Sequence, residues 1–118
     1  MSAPAFIDSQ ALANLRALNP DDNDAFLKEI IGMFLEDTPL RIAELDQALV
    51  SGDAKLFARA AHSIRGASAN LGASALRLAA EHLELRVRNE APSTLAAELA
   101  LLKDVFAQTD RELKRLFP

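Results

Sequence analysis

Two long stretches of this chain repeat apolar residues at spacings of three and four, and that period leaves little choice of fold. Leu27, Ile31, Phe34, Thr38, Ile42, Leu45 and Leu49 form one stripe, and Leu95, Leu99, Leu102, Phe106, Thr109, Leu113 and Leu116 form the other. A half-buried strand alternates every second residue, whereas threes and fours stack residues on one side of an α-helix. The second stripe alternates four and three, the seam of a helix in a left-handed bundle. A helix with one apolar stripe must bury it against other elements, so several such helices in one chain predict an all-α fold.

Punctuation divides the chain into five helices. Asp8 or Ser9 is placed to cap a short first helix over about 8–18, carrying Leu12, Leu15 and Leu18 and stopped by Asn19-Pro20. The acids Asp21, Asp22 and Asp24, with Asn23, suit the positive end of a second helix over about 21–50. Pro39 lies inside it and is expected to kink it or interrupt it near Asp37. Ser51-Gly52-Asp53 reads as a stop and restart, with Gly52 ending one helix and Asp53 capping the next, over about 54–71. Ser74 is placed to cap a fourth over about 74–89, and Ala91-Pro92-Ser93 separates it from a last helix over about 93–117. Short links between long amphipathic helices make neighbours antiparallel. The expectation is a single domain over 1–118, an antiparallel four-helix bundle with a short additional N-terminal helix.

Composition agrees and removes several functions. Leu and Ala supply most of the apolar residues and only 5% are aromatic, which favours helices over a β-sandwich. There is no Cys, which excludes disulfides, thiolate metal sites and cysteine nucleophiles. Thirteen Lys and Arg stand against 17 Asp and Glu, a net charge of −4 that argues against binding nucleic acid or an anionic membrane. Four scattered Gly assemble no phosphate-cradling loop, so the chain is not by itself a nucleotide-dependent kinase. No apolar run approaches the ~20 residues of a membrane span, and residues 1–5 show no secretory leader. A cytoplasmic address is expected.

The chain has two histidines, His62 and His82. With the third helix on a wheel at about 100° per residue, Phe57, Ala60, Ile64, Ala67 and Leu71 fall roughly 140–220° from His62. They form the core face, so His62 points into solvent. Lys55, Ala58, Arg59, Arg65, Gly66 and Ala69 share its outer face. Glycine inside a helix costs about 1 kcal/mol relative to Ala, yet Gly66 follows the histidine by one turn. One reading makes this a place to accept a phosphoryl group: an uncovered imidazole, bulk removed beside it, and Arg59 and Arg65 available to hold phosphoryl oxygens. The other makes His62 an ordinary surface residue and Gly66 a point of close helix–helix contact. His82 lies between two apolar sides of the fourth helix with no glycine beside it, as expected of a histidine packed at the bundle edge, and Arg86 and Arg88 read as a solvated helix end.

The stretch Ala61-His62-Ser63-Ile64-Arg65-Gly66-Ala67-Ser68-Ala69-Asn70-Leu71-Gly72-Ala73 resembles the signature of histidine-containing phosphotransfer (HPt) domains. That pattern is a histidine, an apolar residue two on, Lys or Arg three on, Gly four on and a small residue six on, with Leu-Gly-Ala closing the helix. The resemblance extends to Asp53 and Leu56 before it and to Leu83-Glu84 on the following helix. It implies that His62 accepts a phosphoryl group from an aspartate of a response-regulator receiver domain and returns it to another. Arg65 takes the basic position, where Lys is commoner and the geometry of the charge differs. Gly66 opens the surface, and Ser68 and Glu84 match positions near the site whose roles vary within the family.

The same resemblance implies receiver domains and a hybrid sensor histidine kinase as partners, a monomeric state, and no cofactor on this chain, since the Mg belongs to the receiver. An ordinary imidazole is neutral and nucleophilic at about pH 7, and phosphoryl-transfer catalysis is mostly positioning and electrostatics, which a partner can supply. One other function is excluded by spacing and a second is disfavoured. A di-metal bundle needs Glu-x-x-His pairs, and none exists. A histidine-kinase dimerisation helix places an acidic residue after its histidine, where this chain has Ser63. The remaining alternative is a receiver-binding module of the same fold that takes no phosphate. Met1 favours a free-standing protein over the end of a hybrid kinase.

Overall fold

The computed structural model describes residues 6–118, so the reading of residues 1–5 lies outside it. Five α-helices follow one another: α1 (Ser9–Leu18), α2 (Ala25–Ser51), α3 (Ala54–Leu71), α4 (Ser74–Arg86) and α5 (Ala96–Leu116), the last preceded by a 3-10 turn at Pro92–Leu95. Helices α2 to α5 form the antiparallel bundle. α3 lies between α2 and α4, α5 closes the bundle against α4 and α2, and α1 rests on α2 and α3.

Most of the two sequence stripes becomes its core, with Ile42, Leu49 and Phe106 half-buried and Leu116 exposed at the end of the second. Leu27, Ile31, Phe34, Thr38 and Leu45 of α2 are buried, as are Leu99, Leu102, Thr109 and Leu113 of α5 and Leu95 just before it. They meet Phe57, Ile64 and Leu71 of α3 and Leu76, Ala80 and Leu83 of α4. Phe34 and Phe106 pack as a tilted aromatic pair, 6.2 Å between ring centroids.

Three helix ends differ from the expected ones. α2 begins at Ala25, not near 21, because Asn23 and Asp24 adopt left-handed backbone, φ 56° and 65°. Asn and Asp tolerate that region better than other side chains, and it cannot continue a right-handed helix. The acids still serve the helix start: Asp22 accepts from the Phe26 amide at 3.0 Å, while Asp24 pairs with Arg16 and ties α1 to α2. α4 ends at Arg86 rather than 89, since Arg88 and Asn89 bond back three residues in a tightened turn. The last helix is entered through the 3-10 turn, so α5 proper starts at Ala96 instead of 93.

Two further expectations are corrected. α2 is not interrupted at Pro39; it runs through it to Ser51. Pro39 itself is exposed, and Phe34, Thr38 and Leu45 hold both sides of it to the core, which outweighs the ~3 kcal/mol penalty of an interior proline. Ser74 does not cap α4. Ser74 is already the first helical residue, and the cap position falls on Ala73, whose methyl side chain has no acceptor to offer.

Candidate functional site

α3 is fixed at both ends. Asp53 Oδ1 accepts from the Leu56 amide at 3.0 Å, capping the first turn. At the other end Gly72 is left-handed, φ 77°. The Gly72 amide donates to Ala69 and the Ala73 amide to Ser68, the paired bonds of a Schellman turn. Between these ends Phe57, Ala60, Ala61, Ile64, Ser68 and Leu71 are buried. The core face is thus rotated slightly toward α4 relative to the wheel, and Ala67 is only half-buried.

His62 lies opposite that face, its side chain 61% exposed. Its ring is nevertheless held. Glu84, on α4 and only 14% exposed, brings Oε2 within 2.8 Å of His62 Nδ1 and Oε1 within 3.1 Å of Arg65 Nε. Arg65 Nη2 lies 3.1 Å from the same Nδ1. A carboxylate only accepts and a guanidinium only donates. Only one of the two contacts can be a bond to Nδ1: the shorter one, to Glu84, is a hydrogen bond when Nδ1 carries the ring proton, and Arg65 then bonds Glu84 rather than the ring. The neutral imidazole then has its lone pair on Nε2, so one nitrogen is anchored and the other is a free nucleophile.

The remaining candidates separate. Gly66 is exposed, and a Cβ built there would meet nothing within 4 Å; no helix approaches it, so close helix–helix contact is not its reason. Arg59 is exposed and makes no ion pair among the described residues. Ser68 is not at the site: it is fully buried, and its hydroxyl donates to the Ile64 carbonyl at 2.6 Å. His82 is exposed rather than packed at the bundle edge, and its Nε2 accepts from Arg86 Nη1 at 3.3 Å. Arg86 is also not a merely solvated residue, since it pairs with Glu90 and reaches Glu98 of α5 at 3.6 Å.

Sequence reasoning did not name an apolar groove beside the site. Ile30, Met33, Phe34 and Asp37 of α2 line it with Ala67 and Asn70 of α3, enclosing ≈260 Å³. Met33 is 64% exposed, and Leu40 extends the apolar surface along α2. Met33 and Leu40 are seven residues apart and outside the main stripe, which was the signal available.

The sequence model of the Hpt domain matches residues 29–115, a span that includes His62, Arg65, Gly66 and Glu84. The chain belongs to the Hpt domain family. It is similar to the Multistep phosphorelay regulator 1 of Schizosaccharomyces pombe, 30% identical over 99 residues, which cover 80% of this chain and 34% of that protein. The chain thus spans about a third of the length of that relative. Its fold is similar to the crystal structure of histidine-containing phosphotransfer protein B (HptB) from Pseudomonas aeruginosa PAO1, with a TM-score of 0.81, 29% identity, and coverage of 97% of this chain and 95% of that one. In general terms, membership of the Hpt family supports a phosphocarrier of a phosphorelay. No helix among the described residues is long and apolar enough to cross a membrane.

Proposed function

We propose that this chain carries a phosphoryl group on His62 Nε2, taking it from an aspartate of one receiver domain and giving it to a receiver aspartate of a response regulator. The observation that carries this is the exposed His62 ring whose Nδ1 is bonded to Glu84 at 2.8 Å. In the transfer the Nε2 lone pair attacks phosphorus, the bond from phosphorus to the aspartyl oxygen breaks, and the aspartate leaves as a carboxylate. The Nδ1 proton stays, held by Glu84, so the phosphorylated ring is ready to give the group up again by the reverse step.

The rest of the outer surface supports such a partner. Gly66 leaves the flank of Nε2 open, and the groove at Met33 and Ala67 offers an apolar seat next to it. On this reading the donor receiver belongs to a hybrid sensor histidine kinase, the receiver supplies the Mg, and the chain has no kinase activity of its own. The test is transfer from a pre-phosphorylated receiver domain to the wild type, His62→Gln and His82→Gln. Acid-labile, base-stable label on the wild type and the His82 variant but not on the His62 variant is the expected result. Label retained by His62→Gln would overturn the assignment, and binding without label on any form would make the chain a docking module.

A further inference from the structure

The two nitrogens of the His62 ring face different surroundings. Nδ1 looks toward α4, with Glu84 Oε2 at 2.8 Å and Arg65 Nη2 at 3.1 Å. Arg65 is committed on that side, because its Nε also lies 3.1 Å from Glu84 Oε1. The nitrogens of an imidazole project from opposite edges of the ring, so Nε2 is directed away from α4. At about 100° per residue, Arg65 sits roughly 60° to the α4 side of His62, while Gly66 and Arg59 sit roughly 40° and 60° to the other side. Nε2 is therefore flanked by the open turn at Gly66 and by the one guanidinium of this helix face that has no carboxylate.

We propose that Arg59 is the residue that holds the phosphoryl group on Nε2, and that Arg65 is a positioning residue that fixes Glu84 and through it the tautomer of His62. This rests on the reading of His62 as acceptor and assigns the two arginines different tasks within it. Residues three apart on a helix are neighbours, about 5–6 Å between Cβ atoms, so the Arg59 fork reaches a group standing on Nε2. It can donate two N–H bonds to the phosphoryl oxygens. Arg65 cannot swing to that side without leaving Glu84, a largely buried carboxylate, short of its guanidinium partner, and unpairing a shielded charge is costly.

The test uses potassium phosphoramidate as donor, so that recognition by a receiver plays no part. The Nε2 lone pair attacks phosphorus, the P–N bond of the donor breaks, ammonia leaves, and Nδ1 keeps its proton on Glu84. On 15N-labelled protein, NMR reads both the position of the phosphoryl group and the tautomer of His62. Arg59→Gln is expected to slow labelling of Nε2 about tenfold, the loss of one exposed charge-assisted interaction, with the tautomer unchanged, and Arg59→Lys to recover most of the rate. Arg65→Gln is expected to shift the ring toward the Nε2–H tautomer and to divert part of the label to Nδ1. Labelling of Arg59→Gln at the wild-type rate would overturn the proposal. So would an Arg65→Gln variant that labels slowly with its tautomer unmoved. A wild type that takes no label on His62 from either phosphoramidate or a receiver would instead remove the carrier reading itself.

Discussion

Gly66 is the residue at which stability and function make opposite demands, and it gives the sharpest prediction. A glycine inside a helix is less favourable than alanine by about 0.8–1.0 kcal/mol. Usually some of that is offset because a Cβ would clash. Here a Cβ would meet nothing within 4 Å, so there is no offset, and Gly66→Ala should stabilise the fold by about 0.8–1.0 kcal/mol. For a domain of this size that raises the melting temperature by roughly 4 °C. Leucine is nearly as good a helix former, so Gly66→Leu should also be more stable than the wild type. Its side chain, however, stands on the Nε2 flank of His62, where on the proposed function a receiver approaches. Displacing the reacting atoms by an ångström is enough to cost roughly a hundredfold in transfer rate, while labelling by phosphoramidate, a far smaller donor that needs no docking, should fall much less. Urea unfolding followed by circular dichroism gives the stability, and transfer from a phosphorylated receiver gives the function. A Gly66→Ala variant that is less stable, or a Gly66→Leu variant that takes phosphate from a receiver normally, would refute the reasoning.

Gly72 should respond in the opposite direction. It is left-handed at φ 77°, and a Cβ there would stand 2.5 Å from Ala11 Cβ and 3.2 Å from the Asp8 carbonyl oxygen, so Gly72→Ala combines backbone strain with a collision against α1. A loss of about 2–3 kcal/mol in urea unfolding is expected, and a stability equal to the wild type would contradict the turn geometry. Stability should also decline in acid. Hydrogen bonds from Arg86 and Arg115 hold Glu90 and Glu112 below the ordinary glutamate range in the folded state. A carboxylate lowered on folding stabilises the fold at pH above its unfolded value, about 4.3, and loses that contribution as the pH falls through the lower folded value. The double variant Glu90→Gln, Glu112→Gln should therefore show a flatter urea midpoint between neutral pH and acid; an unchanged slope would show that these pairs do not contribute.

The bundle was legible because its signals are local. Leu27 to Leu45 and Leu95 to Leu113 repeat at the helix period whatever lies across from them, and Asp53 and Gly72 terminate α3 by chemistry confined to a few residues. The readings that failed depended on context. Asn23 and Asp24 look like good first-turn residues, but they are equally suited to left-handed backbone, and composition does not choose between the two. Pro39 reads as a break only if nothing else holds α2 helical, and what holds it is the packing of Phe34, Thr38 and Leu45 on either side. The site divides the same way. His62 and Gly66 share one helix face and can be placed by counting. Glu84 comes from α4, and only the packing of α3 on α4 brings its carboxylate to Nδ1 and draws Arg65 to that side. Ser68 shows the converse: it belongs to the motif, yet the rotation of α3 toward α4 turns it into the core.

What the fold contributes to the chemistry is a rigid mount. His62 sits near the middle of a helix closed by the Asp53 cap and the Gly72 turn, with Phe57, Ala61 and Ile64 fully packed beneath it. Its backbone position is therefore set by the core and not by a loop, and the Glu84 bond removes much of the remaining freedom of the ring. On the proposed function, a carrier whose own hold on the phosphoryl group is a single exposed arginine gains from being presented to its partner already oriented, since ordering it on docking would cost conformational entropy at each of two encounters. The same argument explains why so little of the site is concave. On that reading the exposed imidazole and the missing side chain at Gly66 leave room for a partner's active site to close over Nε2, and the groove at Met33 offers it apolar contact area. A mutation that loosened α3, such as Phe57→Ala beneath His62, should thus impair transfer beyond its effect on the fraction folded, and the comparison of transfer rate with hydrogen-exchange protection along α3 would separate the two.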